Sequence, residues 1–258
     1  MKLKRIKEIE KCIRENGTCS LEQLCNVFNV SANTIRRDIN ELAELGIVKK
    51  VYGGVVINDE HMDSDELNLT SNIVYSKDLE SIAEKAAALV NDGDIILISS
   101  GTTAYRMIHY LKSKKNITII TNNLLIIFEA LNYENIHLIA IGGDVLKNTN
   151  SIVGYEALNL LKKLNAHKVF LATSGLSVNT GLTNSSSLEA EIKQTMIKVS
   201  NQTIILADHS KFDVVSLYTF LDFKDVDVLI TDKQPSKSYT ECFIKNNVEL
   251  IVAGENEG

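Results

Sequence analysis

The chain has 258 residues, 45% of them apolar, and a formal net charge of −6. That length admits one large domain, or a small domain joined to a medium one, with enough apolar content for an ordinary buried core. No apolar run approaches the roughly eighteen residues that a membrane span needs, and the opening MKLKRIKEIEK carries charges where a signal peptide needs an apolar stretch, so the expectation is a soluble cytoplasmic protein with no membrane partner.

The negative total conceals a division. Residues 1–57 hold ten Lys or Arg against seven Asp or Glu, a net +3, whereas the remainder holds seventeen against twenty-six, a net −9. A small anion-facing module joined to a larger acidic domain accounts for that asymmetry. Cys12, Cys19, Cys25 and Cys242 lack C-x-x-C spacing and read as core thiols. The five histidines form no H-x-x-x-H pair, so neither a metal site nor a cofactor is expected.

In chain order, Leu3, Ile6, Ile9 and Ile13 recur at helical spacing, and Gly17 ends that run. Ser20-Leu21-Glu22-Gln23 has the form of a capping box and opens a short helix over 20–28, with Leu21, Leu24, Val27 and Phe28 facing inward. Ser31 then caps a third helix, ANTIRRDINELAEL. With Ile35, Ile39 and Leu42 on the inner side, Asn33, Arg37 and Asn40 lie opposite. Such a face suits a major groove, where arginine pairs bidentately with guanine and asparagine with adenine.

After Gly46, IVKKVYGGVVI reads as two strands around a Gly53-Gly54 turn. Three helices and a hairpin make a winged helix-turn-helix, whose Lys49 and Lys50 would contact phosphates and so contribute salt-dependent affinity with little sequence choice. The candidate DNA-contacting set is Ser31, Asn33, Thr34, Arg36, Arg37, Lys49, Lys50, Tyr52 and Gly53. One such module makes few contacts, so a dimer or tetramer on repeated half-sites of double-stranded operator DNA is expected.

Residues 58–72 are polar and acidic, without a usable period, and read as a linker between a first domain, 1–57, and a second, 73–258. In the second, strands are expected near 94–99, 117–121, 136–141, 168–173, 203–207 and 227–231. Helices near 78–91, 103–113, 123–132, 155–164 and 187–199 alternate with them. This is the pattern of a Rossmann-like α/β domain with a mainly parallel sheet covered on both faces. Ligands of such sheets bind outside the carboxyl ends of the strands. The segments expected there are Ser99-Ser100-Gly101-Thr102-Thr103, Thr121-Asn122-Asn123, Gly142-Gly143-Asp144, Ser174-Gly175 and Asp208-His209-Ser210-Lys211. In the first, the amides of Thr102 and Thr103 at a helix start favour a dianion, and Gly101 lets the backbone approach it; Lys211 adds a positive charge on the same rim.

The stretch VSANTIRRDINELAELGIVKKVYGGVV resembles the signature of the DeoR family of bacterial transcriptional regulators, and Arg5 matches an arginine common in the family's first helix. Tyr52 stands where the family commonly has histidine. The second half, through IAEKAAALVNDGD, SSGTT, TNN, IGGDVLKNTNSIVG, GLSVNTGLTNSSSLEAE and LADHSKF, resembles the family's effector domain, which is related in fold to ribose-5-phosphate isomerase. The resemblance implies a repressor that senses a phosphorylated sugar, with Gly101, Thr102 and Thr103 as phosphate cradle and Asn123, Gly142, Gly143 and Lys211 at the pocket. Ser99 replaces the usual aspartate, Leu79 replaces a usual lysine, and LNLTSNIVYS lacks the usual arginine. The full effector-binding set is Ser99, Ser100, Gly101, Thr102, Thr103, Asn123, Gly142, Gly143, Gly175, Asp208 and Lys211.

Isomerisation needs a carboxylate base, and TSGLSVNTGLTNSSS holds none. Glu189 and Asp208 remain as candidates, Glu189 also completing a capping box with Ser186. No catalytic residue is therefore expected. Two alternatives stay open: an isomerase-like enzyme, and a DNA-binding regulator whose second domain only oligomerises.

Overall fold

In the N-terminal unit, helical residues 5, 6, 8–10, 12 and 13 form α1, followed by β1 (Thr18–Ser20), α2 (Leu21–Phe28), α3 (Ala32–Glu44), β2 (Val48–Val51) and β3 (Gly54–Ile57). The computed structural model describes residues 5, 6, 8–10, 12, 13, 18–28, 30–44, 47–51, 54–57 and 77–254. It contains two compact units, residues 1–71 and 72–258. Leu3, Gly17, Tyr52, Gly53 and the expected linker 58–72 lie outside the described residues.

The capping box forms as read. Ser20 Oγ accepts the Gln23 amide at 3.1 Å while Gln23 Oε1 accepts the Ser20 amide at 2.8 Å, so two donors at the helix start are satisfied reciprocally. Leu24 is fully buried and Leu21, Cys25 and Phe28 pack against the same core, a stripe at i, i+3, i+4 and i+7. Val27 falls outside that stripe and is 65% exposed, contrary to the inward reading. Cys25 takes its place.

Ser31 Oγ accepts the Thr34 amide at 3.4 Å and caps α3. Ile35, Ile39 and Leu42 are buried, and Asn33, Arg36, Arg37 and Asn40 are exposed, as the periodicity requires. One strand was not legible in the sequence. β1 pairs antiparallel with β3, so the hairpin becomes a three-stranded sheet ordered β1-β3-β2. This changes the meaning of Gly54, which is a strand residue rather than a turn residue, paired with Ser20 and Val51. A Cβ on it would lie 2.5 Å from the Cys19 carbonyl oxygen, so the close approach of β1 is what demands glycine.

The second unit begins with α4 (Lys77–Ala88). Its strands are β4 (Ile95–Ile98), β5 (Ile117–Thr121), β6 (Ile136–Ala140), β7 (Asp144–Leu146), β8 (Ser151–Val153), β9 (Ala166–Ala172), β10 (Gly175–Ser177), β11 (Gly181–Asn184), β12 (Ser200–Leu206), β13 (Tyr218–Leu221), β14 (Val228–Thr231) and β15 (Glu249–Val252). Between them run α5 (Thr102–Arg106), α6 (Leu124–Ala130), α7 (Tyr155–Leu161), α8 (Ser187–Lys198) and α9 (Lys237–Lys245). The helix expected over 103–113 is instead α5 continued as a tighter turn at Met107–Leu111.

Seven strands form one wholly parallel sheet in the order β15-β14-β12-β9-β4-β5-β6. The chain winds outward from β4 through β5 to β6, returns to β9 on the other side of β4, and winds outward again. Helices on both faces explain why the central strands are continuously apolar: Ile96, Leu97, Ile98, Val169, Phe170 and Leu171 are all fully buried. Strand β15 and helix α9 extend the sheet beyond the sequence reading. Two short antiparallel sheets, β7-β8 and β10-β11-β13, were also missed. They are insertions at the carboxyl end of the main sheet. Among the described residues no helix is long and apolar enough to cross a membrane.

Candidate functional site

On the N-terminal unit the exposed face of α3 carries Asn33, Arg36 and Arg37, with Thr34 half-buried and the exposed Ser31 just before the helix; Lys49 and Lys50 are exposed on β2. What orients this face is an ion pair beneath it. Arg5 Nε and Nη2 donate to the two carboxylate oxygens of Asp38 at 2.7 and 3.2 Å, and the Asp38 side chain is only 1% exposed. The bond to Asp38 raises the Arg5 guanidinium pKa above its ordinary value. Arg5 thus clamps α1 to the middle of α3. Arg36 and Arg37 point away from the buried side while Asp38, next in sequence, is turned into it.

In the C-terminal unit the strand order reverses between β4 and β9, the location where an open α/β sheet leaves a crevice at its carboxyl edge. Ser99-Ser100-Gly101 leaves β4 on one side of that point, and Thr173-Ser174-Gly175 leaves β9 on the other. Gly101 has φ 145°, and a Cβ there would stand 2.4 Å from the Ala172 side chain at the end of β9. Only glycine permits this turn into α5, whose first amides, at Thr102 and Thr103, have no intrahelical acceptors. Thr102 is exposed and Thr103 buried. Ser99 is fully buried, its amide bonded to the Phe170 carbonyl at 3.0 Å and its hydroxyl to the Ser100 carbonyl at 3.3 Å.

Ser100 begins a polar network across the crevice floor. Its amide donates to Asn122 Oδ1 at 3.2 Å and its hydroxyl to Glu189 Oε1 at 3.1 Å. The same carboxylate oxygen accepts the Ser151 hydroxyl at 3.0 Å, and Glu189 Oε2 accepts Asn184 Nδ2 at 3.4 Å. Ser174 in turn donates to Asn184 Oδ1 at 2.5 Å. One carboxylate therefore joins the ends of β4, β8 and β11. The expected capping box of α8 is only half formed: the Glu189 amide donates to Ser186 Oγ, but the Glu189 side chain goes to the network instead of back to Ser186.

Lys193, one turn further along α8, is 4% exposed and donates to the Ala172 carbonyl at 2.8 Å, with its ammonium 5.1 Å from the centre of the Phe220 ring. Burial pushes its pKa down to about 8, against an upward pull from Glu189. The remaining residues expected at the site are spread along the same edge. Asn123 caps α6, accepting the Leu125 amide at 2.9 Å. Gly142 and Gly143 are exposed after β6, and Gly175 is buried at the start of β10. Asp208 Oδ1 accepts the Ser210 amide at 2.9 Å while Oδ2 lies 3.9 Å from Lys211 Nζ; Lys211 is 37% exposed. Both follow β12, one strand beyond β9.

Asn122, Ser151, Asn184, Glu189 and Lys193 were not in the expected set. Asn122 does lie in the Thr121-Asn122-Asn123 segment expected on the rim, and Glu189 was considered as a base; Ser151, Asn184 and Lys193 were not singled out, and their roles depend on which loops the fold brings together. Asp78, His209 and Asp232 also converge, with ligand atoms within 4.8 Å of one another. His209 Nδ1 lies 2.5 Å from Asp232 Oδ2, and Lys233 Nζ lies 3.1 Å from His209 Nε2, so an ammonium already faces this trio.

Comparison with known proteins agrees with both halves. Residues 5–61 match the DeoR-like helix-turn-helix domain and residues 76–233 the DeoR C terminal sensor domain. The transcriptional regulator IolR of Bacillus subtilis is 41% identical over 253 residues, covering 98% of this chain and 100% of that protein. The glycerol-3-phosphate regulon repressor of Escherichia coli is 27% identical, covering 94% and 95%. Among solved structures, ribose 5-phosphate isomerase A of Methanocaldococcus jannaschii aligns with a TM-score of 0.38 at 19% identity, over 52% of this chain and 53% of that one. With both domain models matched in order along one chain, the protein belongs to the DeoR family of DNA-binding transcriptional regulators.

Proposed function

We propose that the protein represses a carbohydrate-metabolism operon and releases its operator when a phosphorylated sugar occupies the crevice between β4 and β9. The observation that carries this reading is the Gly101 turn, a positive-φ glycine closed against Ala172 that delivers a helix start to the switch point of a parallel sheet. Such a start favours a phosphate dianion. Lys211, after β12, supplies a cation on the same edge. The name of the Escherichia coli relative, a regulon repressor for glycerol 3-phosphate, is in keeping with that ligand class.

In this reading residues 1–57 contact DNA through Arg36, Arg37 and Asn33, with Lys49 and Lys50 on phosphates, residues 58–72 connect, and residues 73–258 sense the effector. Two or more copies act together on repeated half-sites, because one recognition helix makes too few contacts for specific affinity. The role is binding rather than turnover. Glu189, the buried carboxylate of the crevice, is engaged by three hydrogen-bond donors, as a structural acceptor would be.

A fluorescence-anisotropy titration of labelled operator DNA, with and without a panel of sugar phosphates, tests the proposal. A coupling of about 1 to 3 kcal/mol is the usual scale, which lowers DNA affinity about 5- to 150-fold. No response to any member of the panel, together with no shift in melting temperature, refutes it.

A further inference from the structure

On its way into β13 the segment 214–218, Val-Val-Ser-Leu-Tyr, turns apolar side chains to solvent: Val215 is 57% and Leu217 76% exposed, and Val214 and Tyr218 are exposed beside them. The backbone that carries them is pinned at three places. Asp213, at φ 59°, donates its amide to the hydroxyl of the buried Tyr239 at 2.9 Å. The Val214 carbonyl closes on Gly175, where a Cβ would stand 2.3 Å from its oxygen. The Ser216 amide donates to Thr183 Oγ1 at 2.9 Å. Tyr218 then pairs with Asn184 of β11, and Asn184 leads through three serines to Leu188, which is exposed at the start of α8. These side chains are thus presented on a fixed backbone, and covering them costs little ordering entropy.

Charge and area say what covers this face. Residues 173–188 and 214–221 hold no Asp, Glu, Lys or Arg, although residues 58–258 carry a net −9. Two copies of an acidic domain repel one another except across a face without charge, and a face without cations offers nothing to nucleic acid. Strand β13 is also an edge of its sheet, with neither the Lys nor the Pro that guards an edge against pairing. Leu188, Val214, Val215, Leu217 and Tyr218 together expose about 500 Å², close to the apolar share of the roughly 800 Å² that each partner gives to a standard interface. We infer that this face is where two copies of the chain join, in a two-fold arrangement that sets Val215 and Leu217 of one copy against the same face of the other. The inference rests on the proposed action of two or more copies at repeated half-sites, for which it supplies the contact, and is independent of the phosphate site.

Sedimentation equilibrium of the full chain provides the test. The wild type is expected to self-associate, and Val215→Glu and Leu217→Glu are each expected to weaken that association about hundredfold or more, because a two-fold interface carries every substitution twice and brings like charges together. Circular dichroism melts show that the variants remain folded, and Leu217→Ser, which adds no charge, serves where a glutamate variant does not fold. Leu131→Glu, at a residue 72% exposed beside the opposite edge strand β6, is expected to associate as the wild type does. Association unchanged in the Val215 and Leu217 variants overturns the inference, whatever else binds that face. Equal weakening in the Leu131 variant means a general effect of added charge and overturns it as well. Variants that keep the wild-type assembly but lose operator affinity mean that the face receives the DNA-binding unit, which also overturns it. A monomeric wild type removes the action of paired copies from the proposed function and the inference with it, whereas unchanged variants of an associating wild type sink the inference alone.

Discussion

The Arg5 guanidinium holds the Asp38 carboxylate through two hydrogen bonds at 2.7 and 3.2 Å, joining α1 to the middle of α3. Asp38 is buried, so removal of Arg5 leaves a carboxylate in the core with no cation. Arg5→Met is expected to lower the melting temperature of the N-terminal unit and to abolish operator binding by loosening α1 from α3. Arg5→Lys restores little, because an ammonium cannot reproduce the two-pronged geometry. Arg5→Met combined with Asp38→Leu recovers much of the stability, since a buried ion pair is replaceable by apolar groups when both partners go. Calorimetric melts of the three variants, beside anisotropy with operator DNA, check this.

Arg36 and Arg37 are exposed on the face of α3 away from the core. Arg36→Ala and Arg37→Ala are each expected to cost about 1 to 3 kcal/mol of operator affinity and to relax sequence preference. Lys49→Ala and Lys50→Ala weaken binding to all sequences alike and reduce the salt slope by about one each. Effector-induced stabilisation stays intact in all four. Its loss together with DNA binding would mean that the division of labour between the units is wrong.

Gly101 has φ 145° and no room for a Cβ beside Ala172. Gly101→Ala is expected to move the turn into α5, with the stabilisation by sugar phosphate lost and operator binding retained. Differential scanning fluorimetry with and without ligand reads the first effect; a full ligand-induced shift in the variant would contradict the assigned phosphate loop.

Lys193 gives the C-terminal unit a pH dependence with a definite sign. Its pKa falls from 10.5 to about 8 on burial. Below pH 8 the group is protonated in both folded and unfolded chains, and the fold carries the whole cost of the buried charge, about 3 kcal/mol at most. Between pH 8 and 10.5 the unfolded chain binds the extra proton, so this contribution to stability rises with pH. Lys193→Met removes that rise. Urea denaturation of both proteins at pH 7, 8, 9 and 10 should show their difference shrinking toward high pH; a constant difference refutes the assignment.

Much of the architecture was legible because it is written in local periodicity. The 3.6-residue stripe of Ile35, Ile39 and Leu42, the Ser20 and Gln23 capping box and the apolar runs of β4, β5, β9, β12 and β14 depend on neighbours within one turn or one strand. Gly54 shows where this stops. Its turn-like sequence was misread because β1, the strand it accommodates, is three residues long and too short for any period to announce. Val27 was misread for a related reason: Cys25 packs into the core at a position where hydropathy alone ranks valine higher.

The sequence by itself determined a basic helix-turn-helix followed by an acidic α/β domain, and it located the S-G-T-T corner at the end of a strand. Local spacing and charge suffice for that. Only the tertiary structure decided that this corner lies at the reversal between β4 and β9, and that Glu189 reaches it instead of capping its own helix. Ser100, Ser151, Asn184 and Glu189 come from four segments spread over 89 residues of chain, and their hydrogen bonds exist only once strand order has brought those segments to one edge.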